Sequence, residues 1–514
     1  MRSCRKTKSL VNRRVTFLIL FIFSLSTLAC NLSTFQLGEG SYSPIGGWVF
    51  ATASPQVVDP LATVQETLQP TLEITATPAP PIIYTSLAGD TLPALVARFG
   101  VSPDQINSST PLPTEGLIPP GIIMIIDNVL GETADSRQVL PDSEVIFSPS
   151  TVNFDITTFV DEAGGYLSSY SEYTSTGTHT GAEIVMQVAQ DNSINPRLLL
   201  ALLEYQGHWV YGQPTNIAEA DYPLGRIDIN FKGLYKQLNW AAKNLANGYY
   251  GWRSGSITSL IFPDGSSLRI APTLNAGSVA LQTFLAQLFN QREWAGALYD
   301  EDGCSALLET MFGSPWQRAQ EVEPLLPAGI SQPELQLPFQ PGYLWSFSGG
   351  PHAAWSADSS LAALDFAPAS TEPGCVKSEM FVTASAPGLI IRTGTGLIIE
   401  DLDGDGYEQT GWVLLYLHVA HDDRFPIQVG DWVDQDAVLG HPSCEGGVAT
   451  GSHVHIARKY NGEWVLADGP LPFVLSGYTA HAGDKPYQGT LTKDDQVITA
   501  NTNGSAQTNI RRTE

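Results

Sequence analysis

The hydrophobic pattern of this 514-residue chain changes in kind near residue 335. The segment 181–327 has the pattern of a series of helices, whereas 345–478 consists of short apolar runs separated by glycine turns. A Pro/Gly-rich stretch, 335–344, separates the two patterns. One fold class cannot accommodate both patterns, and the chain is long enough for about three domains. We therefore expect a multi-domain protein.

Composition and pattern together divide the chain into seven segments. We expect a signal peptide (1–29), a Thr/Pro-rich linker (30–80), a compact α+β module (82–127), a second linker (128–180), a mostly helical domain (181–330), an all-β domain with an antiparallel sheet in a barrel or sandwich (340–485) and a polar tail (486–514).

The charge balance excludes one class of partner. The chain has 26 basic and 52 acidic residues, a formal net charge of −26. A nucleic-acid-binding protein needs a basic face to neutralise phosphates. We therefore expect no nucleic-acid partner.

The N-terminus has the features of an export signal. Basic residues precede the apolar run 15–28, which is short for a membrane-spanning helix. The run ends in Ser-Thr-Leu-Ala-Cys at 26–30, which resembles a bacterial lipoprotein signal. The resemblance implies that Cys30 is lipidated and that the protein is held at the extracytoplasmic side of the membrane. The alternative is a secreted protein, or an uncleaved anchor, with a free Cys30.

The pattern over 82–127 predicts the order strand, helix, helix, strand. Together with Tyr84, Gly-Asp-Thr-Leu at 89–92, Ala-Arg-Phe-Gly-Val at 97–101 and Pro-Gly at 120–121, this order resembles the LysM module. The resemblance implies a βααβ fold that binds glycans containing N-acetylglucosamine, such as peptidoglycan. The alternative is a small packing domain without a ligand.

Within the helical domain, residues 195–209 resemble the start of lysozyme-like lytic transglycosylases. The position of their acid falls on Gln206, whose amide cannot donate a proton in that way. Glu204 is the candidate glycosidase acid if the helix is shifted, since an apolar helix end would raise its pKa. The alternatives are a glycan-binding remnant and an unrelated helical domain.

Seven of the nine histidines lie between 352 and 481, in the all-β segment. His453 and His455 are two residues apart on a predicted strand, so their side chains point to the same face. His418 ends another apolar strand, His352 lies on a Gly-Gly-Pro-His turn, and Asp365 stands between apolar neighbours. A catalytic zinc ion needs about three protein ligands and an open position. Three of these five residues could hold the ion, and the two histidines that remain could transfer protons.

The His…Asp pair, the Tyr-x-His strand and the His-x-His strand resemble the lysostaphin/β-lytic family of zinc endopeptidases, which cut peptide cross-links of bacterial peptidoglycan. The resemblance implies that His352, Asp365 and His455 are zinc ligands and that His418 and His453 are catalytic. The long gap between His352 and Asp365 is similar to that of the β-lytic branch. The alternatives are a non-catalytic wall-binding protein that activates other hydrolases, and a secreted bacteriolysin that acts on other species.

The chain has five cysteines, of which Cys4 leaves with the signal and Cys30 is the lipidation candidate. The simplest count for the other three is one disulfide and one odd thiol. The β-lytic resemblance implies that Cys375 pairs with Cys444, which leaves Cys304 free.

The acidic run at 401–408 alternates carboxylates and contains glycines suited to a turn. Asp401, Asp403 and Asp405 are spaced like the first ligands of a calcium loop, although Trp412 replaces the closing Glu of an EF-hand. A structural calcium ion in a β-hairpin and a solvated acidic turn both fit this pattern.

Overall fold

The computed structural model describes residues 79–355, 360–370 and 372–513. The signal peptide, Cys30 and nearly all of the first linker lie outside the described residues. No helix within the described ranges is long and apolar enough to cross a bilayer.

The N-terminal module is a three-stranded antiparallel sheet with one helix. Its elements are β1 (Ile82–Thr85), α1 (Leu92–Phe99), β2 (Ile106–Ser108) and β3 (Ile123–Ile126), with strand order β1-β3-β2.

The first helix of this module forms as its sequence predicts, and the second does not. The Thr91 side chain accepts from Ala94 N and caps the start of α1, and Gly100 ends it with a left-handed φ of 66°. The expected second helix is a single 3₁₀ turn, Pro103–Gln105, followed by strand β2. Ile106 is buried against the module's core, which favours the strand.

The middle of the chain is a helical domain with two small hairpins. Its helices are α2 (Ile156–Ala163), α3 (Tyr166–Ser169), α4 (Gly181–Asn192), α5 (Pro196–Gly207), α6 (Ile217–Asp221), α7 (Leu234–Ser254), α8 (Ala276–Leu285), α9 (Gln291–Tyr299), α10 (Cys304–Phe312) and α11 (Pro315–Val322). Its hairpins are β4 (Ser171–Thr174) with β5 (Gly177–Thr180), and β6 (Ser259–Ile261) with β7 (Ser267–Arg269).

Helix α5 lies at the centre of this domain. Asn195 caps its start and Pro196 occupies the first turn, and the six residues 198–203 are fully buried. A helix that is apolar on every side must be surrounded by other elements. Residues 142–180, which we expected as part of a linker, belong to this domain, because Ile156, Val160 and Leu167 are buried in the same core as α5.

The C-terminal domain is all-β. Its strands are β8 (Leu344–His352), β9 (Ala363–Pro368), β10 (Val382–Thr383), β11 (Gly388–Gly394), β12 (Leu397–Asp401), β13 (Trp412–Leu417), β14 (Val419–Ala420), β15 (Trp432–Val433), β16 (Val438–Pro442), β17 (Val454–Tyr460), β18 (Glu463–Trp464), β19 (Val474–Leu475), β20 (Tyr478–Ala482), β21 (Gly489–Lys493), β22 (Gln496–Thr499) and β23 (Asn509–Arg511).

Most of these strands form one antiparallel sheet of nine strands. Its order is β15-β11-β12-β13-β17-β9-β8-β23, with β18 paired to β17. Two smaller sheets, β10-β16-β14 and β19-β20-β21-β22, flank it. Strands β21, β22 and β23 lie in the segment that we expected as a polar tail. Each buries one apolar residue, Leu491, Ile498 or Ile510, so the hydrophobic signal in the sequence is weak.

The two faces of the large sheet bury different cores. Leu414, Tyr416 and Ile456 pack into the core of the C-terminal domain itself. The alternate positions Leu415 and Ala457 belong to the core that includes the helical domain. His455 lies two residues before Ala457 on the same strand, so the two side chains point to the same face. The helical domain therefore packs against the sheet face that carries His455.

Candidate metal centre

Three neighbouring strands bring the three predicted metal ligands together. His352 ends β8, Asp365 lies within β9, and His455 lies within β17. The order β17-β9-β8 makes these strands adjacent, and Asp365 stands directly opposite His455 in the register. Residues 103 positions apart in the chain therefore face one point above the sheet.

The atoms of this trio are spaced as ligands of one cation. His352 Nε2 lies 3.0 Å from His455 Nδ1, and Asp365 Oδ1 lies 3.2 Å from each of these nitrogens. Bond lengths of about 2.0–2.1 Å in a tetrahedral site place ligand atoms roughly 3.3 Å apart. Asp365 Oδ1 is also a buried oxygen without a hydrogen-bond partner among the described residues. These residues therefore fit a tetrahedral metal ion.

Backbone carbonyls orient both histidine ligands. His352 Nδ1 lies 2.9 Å from Gly350 O, and His455 Nε2 lies 3.0 Å from Ala354 O. A neutral ring that donates its one N–H to a carbonyl has a lone pair on its other nitrogen. In both residues that nitrogen is the one that faces Asp365, which is the tautomer required of a metal ligand.

The two predicted catalytic histidines lie beside this trio. His418 follows β13 with a left-handed φ of 63°, and its ring centroid is 4.5 Å from that of His453. Nδ1 of His418 lies 2.7 Å from Glu445 O, and Nδ1 of His453 lies 2.7 Å from Gly451 O. Nε2 of His453 is 3.7 Å from Asp365 Oδ1. Each ring can therefore present a free Nε2 towards the open side of the centre.

The electrostatics of the centre favour a charged Asp365 carboxylate and a neutral His418 ring. Burial alone would raise the pKa of Asp365, but His352 and His453 hold it well below its usual range. Burial, and then the neighbouring His453, lower the pKa of His418 to about 4. His418 is therefore neutral near pH 7 and able to accept a proton.

One residue of the centre was missed by the sequence analysis. The ring of Tyr487 stacks on His352 with a centroid distance of 4.2 Å. Its backbone is tied to the turn before His352, because Gly350 N donates to Tyr487 O and Tyr487 N donates to Pro351 O. Tyr487 lies in the segment expected as a polar tail, where the sequence offers no periodic signal to identify it.

The disulfide prediction is confirmed. Cys375 and Cys444 are bonded with a Cα–Cα distance of 5.7 Å, and Cys304 is a buried free thiol. The bond joins the segment before β10 to the loop before β17. Ser452 N, next to His453, donates to Gly374 O in the same region. The disulfide and this hydrogen bond thus connect the segment around Cys375 to the chain just before His453.

The acidic run forms a cluster with possible metal-ligand spacing. Asp401, Asp403 and Asp405 lie close together, with Asp401 buried and the other two exposed. Asp401 accepts from the backbone N–H groups of Asp403 and Gly406, and Asp405 accepts from the Thr410 hydroxyl. These bonds are those of a tight turn, and the calcium site stays a prediction.

The proposed glycosidase acid lies apart from the metal centre, within α5. One Glu204 carboxylate oxygen accepts from the backbone N–H groups of Val210 and Tyr211, at 2.8 and 2.9 Å. It thereby fixes the turn after the helix. This contact gives Glu204 a structural part, and its role as an acid stays a prediction.

Comparison with known proteins shows similarity to a protease. Residues 138–326 match the family described as "LasA, N-terminal domain". Protease LasA of Pseudomonas aeruginosa, from strains UCBPP-PA14 and PAO1, is 27% identical over 302 residues, covering 54% of this chain and 65% of LasA. The family match coincides with the helical domain, for which the lysozyme-like assignment stays a prediction.

Solved structures with local similarity include two metalloproteases. The M23 metalloprotease pseudoalterin is 24% identical, covering 34% of this chain and 96% of its own, with a TM-score of 0.27. The catalytic domain of lysostaphin from Staphylococcus simulans is 20% identical, covering 24% and 89%, with a TM-score of 0.18. The chain is similar to protease LasA, and the match spans 65% of LasA, less than two thirds of that protein's length.

Proposed function

We propose that this protein is a zinc-dependent endopeptidase that hydrolyses peptide cross-links of bacterial peptidoglycan. The observation that carries the proposal is the convergence of His352 Nε2, Asp365 Oδ1 and His455 Nδ1 within 3.0–3.2 Å of one another. Similarity to protease LasA supports the peptidase class. The set of one carboxylate and two imidazoles suits zinc.

The five residues divide into ligands and proton carriers. His352, Asp365 and His455 would hold the ion, which when bound supplies Lewis-acid polarisation of the scissile carbonyl. His418, neutral because of its lowered pKa, accepts a proton from the attacking water at Nε2. His418 then returns this proton to the leaving amine, and His453, with its ring centroid 4.5 Å from that of His418, is placed to donate to the developing oxyanion when it carries a proton at Nε2.

The experiment is digestion of purified peptidoglycan by the full chain, with new amino groups and new reducing ends measured separately. The proposal predicts new amines only. His453→Ala should abolish their release while zinc content is retained, and Glu204→Gln should leave it unchanged. Release of reducing ends that depends on Glu204 would instead indicate a glycosidase. A wild-type protein that holds zinc and releases neither product would contradict the enzymatic proposal and favour a wall-binding protein that activates other hydrolases.

We also propose that the module at 82–127 binds the glycan of the same polymer and that the mature protein is tethered to the membrane through Cys30. Support for the first comes from the LysM-like sequence, and support for the second from the Ser-Thr-Leu-Ala-Cys motif at 26–30. Mass spectrometry of the mature N-terminus tests the tether, since an unmodified Cys30 would exclude it.

A further inference from the structure

A crevice lies where three parts of the molecule meet. Its volume is about 810 Å³, within the usual range for ligand sites. One wall is the 114–117 loop of the N-terminal module, the second is the end of α7, and the third is the 466–472 segment with β20. The walls approach closely, because a Cβ built on Gly116 would lie 3.8 Å from Pro470 O. The crevice therefore has one side from each part.

Buried ion pairs and hydrogen bonds hold the junction behind this crevice. The guanidinium of Arg98 in α1 pairs with Asp90 and donates to the backbone oxygen of Trp252 in α7. Arg253 Nη2 then donates to both Asp142 and Glu463, which joins α7 to the sheet domain. All of these side chains are buried or nearly so, and their ion pairs and hydrogen bonds join the walls of the crevice.

The lining combines flat apolar surface with neutral and acidic acceptors. Pro93, Leu117 and Leu471 contribute apolar area, and the hydroxyls of Thr114 and Thr479 lie among them. A sugar ring has the matching chemistry, since it presents apolar C–H faces and several hydroxyl groups. Hydroxyl-rich ligands need side chains that accept as well as donate, which threonine and carboxylates provide.

The charge of the lining excludes anionic ligands. Glu115 and Asp468 line the crevice, and its one lining cation, Arg253, is neutralised by Asp142 and Glu463. A phosphate or polyanionic chain would meet net negative charge there. An uncharged saccharide would meet carboxylates that accept from its hydroxyls through strong, charge-assisted hydrogen bonds.

The crevice is connected to the metal centre through one strand. Thr479 and His481 of β20 line the crevice. Six residues after His481, the chain places Tyr487 against the metal-facing residue His352. A ligand in the crevice and a peptide at the metal centre would therefore contact the same short stretch of chain.

We propose that this crevice binds an uncharged, N-acetylated glycan segment jointly between the N-terminal module and the sheet domain. The proposal rests on peptidoglycan as the substrate and adds that the sheet domain supplies half of the glycan site. The glycan strand would then be held at a fixed distance from the peptide that is cut.

The test is calorimetric titration of the full chain with a soluble tetramer of N-acetylglucosamine. Thr479→Trp places a bulky ring in the crevice from the sheet-domain wall, on a strand that tolerates aromatic residues. Thr499→Trp is the matched control, because Thr499 lies exposed on β22 of the same small sheet and outside the crevice. We expect binding to weaken by roughly tenfold or more in Thr479→Trp, as an introduced clash requires, and to be unchanged in Thr499→Trp.

A third variant removes charge without adding volume. Asp468→Asn retains an oxygen to accept from Ala482 N, so the loop should persist while the carboxylate is lost. Its affinity should also fall. If the wild type binds the tetramer and neither Thr479→Trp nor Asp468→Asn weakens the binding, the shared site is overturned. If the wild type does not bind the tetramer, the glycan assignment is overturned.

Failure of this proposal can be distinguished from failure of the proposed function. A short glycine-rich peptide without sugar reaches the metal centre alone, so its cleavage by the wild-type chain and by Thr499→Trp tests the proposed function without involving the crevice. Peptide cleavage without binding of the tetramer would overturn the crevice proposal alone, and binding of the tetramer without peptide cleavage would overturn the proposed function alone.

Discussion

At the scale of single residues, four backbone carbonyls orient the histidines of the metal centre. Gly350 and Ala354 each accept from one ligand ring, and Glu445 and Gly451 each accept from one of the other two rings. Each ring thereby has a free nitrogen on the side of the centre. The chemistry of the site thus depends on loop backbone as much as on the histidines themselves.

Variants of Tyr487 test whether the orientation of the His352 ring affects zinc affinity. Its ring stacks on His352, and its backbone forms hydrogen bonds with the backbone of Gly350 and Pro351. Tyr487→Phe should keep the stacking and the zinc affinity. Tyr487→Ala should lower the affinity by about tenfold, the size of effect seen when a ligand loses its supporting partner. Competition with a zinc-binding dye measures both, and equal affinities for the two variants would show that the stacking has no part in orientation.

Local spacing made only part of the candidate site predictable. The i, i+2 relation of His453 and His455 fixes a shared face on any strand, whatever the fold around it. His352, Asp365 and His418 came from the family resemblance, because their meeting depends on strand order. Tyr487 could not be predicted, since its position depends on long-range pairing of the 483–488 loop with the turn before His352.

At the scale of elements, the Cys375–Cys444 bond closes a long loop around the sheet domain. The cysteines are 69 positions apart, and a loop of that length corresponds to about 4 kcal/mol of stabilisation in the chain-entropy account. The double variant Cys375→Ser/Cys444→Ser should therefore melt well below the wild type.

Reduction gives the control for this prediction. A reductant should lower the melting temperature of the wild type towards that of the double variant and should leave the double variant unchanged. A wild type whose melting temperature is insensitive to a reductant that has been shown to open the bond would contradict the prediction.

The buried carboxyl group of Glu400 on β12 makes the stability of the sheet domain depend on pH. Burial raises the pKa of its carboxyl from 4.5 to about 8, and the Tyr416 hydroxyl donates to it. In the folded state the group is protonated up to about pH 8, whereas in the unfolded chain it ionises near pH 4.5. The contribution of Glu400 to the free energy of unfolding is therefore fully present below about pH 4.5 and is lost as the pH rises to about 8.

Glu400→Gln should reduce the dependence of stability on pH between about pH 4.5 and pH 8. The amide oxygen can still accept from Tyr416, and the group no longer ionises in either state. Melting temperatures at pH 5 and pH 8.5 measure the difference between the wild type and Glu400→Gln. Parallel profiles for the two proteins would show that Glu400 ionises alike in both states.

The elements with strong periodicity were predicted, and those with little buried area were not. The helical pattern of 181–327 and the β pattern of 345–478 were predicted, because elements such as α4, α5, β13 and β17 each bury several apolar residues. Segments 142–180 and 489–511 were expected as linker and tail. Their elements are short and each buries few side chains, so the whole fold decides their structure.

At the scale of the whole molecule, the helical and sheet domains share one core and two buried ionic clusters. Arg253 joins Asp142 to Glu463, and Arg392 joins Asp191 to Glu408, with each cluster spanning the two domains. Lys459 on β17 adds a second cation next to Glu408. We therefore expect the two domains to unfold together.

Arg253→Met tests this coupling. It would leave Asp142 and Glu463 buried without their cation, at a cost of about 3–5 kcal/mol. Scanning calorimetry should show one transition for the helical and sheet domains in the wild type, shifted down in the variant. Arg137→Met is the control, because the Arg137–Asp135 pair is exposed and should contribute almost nothing. Two transitions, of which only one moves, would contradict the coupling.

The central claim is that His352, Asp365 and His455 bind one catalytic zinc ion. Its most direct test is the zinc content of the purified full chain, measured by atomic absorption beside His455→Ala and Asp365→Asn. His179→Ala is the control, since His179 lies on the β5 hairpin far along the chain from the centre. The account predicts about one zinc ion per chain in the wild type and in His179→Ala, and almost none in the other two variants. A wild-type protein without zinc, or zinc that persists in both ligand variants, would contradict it.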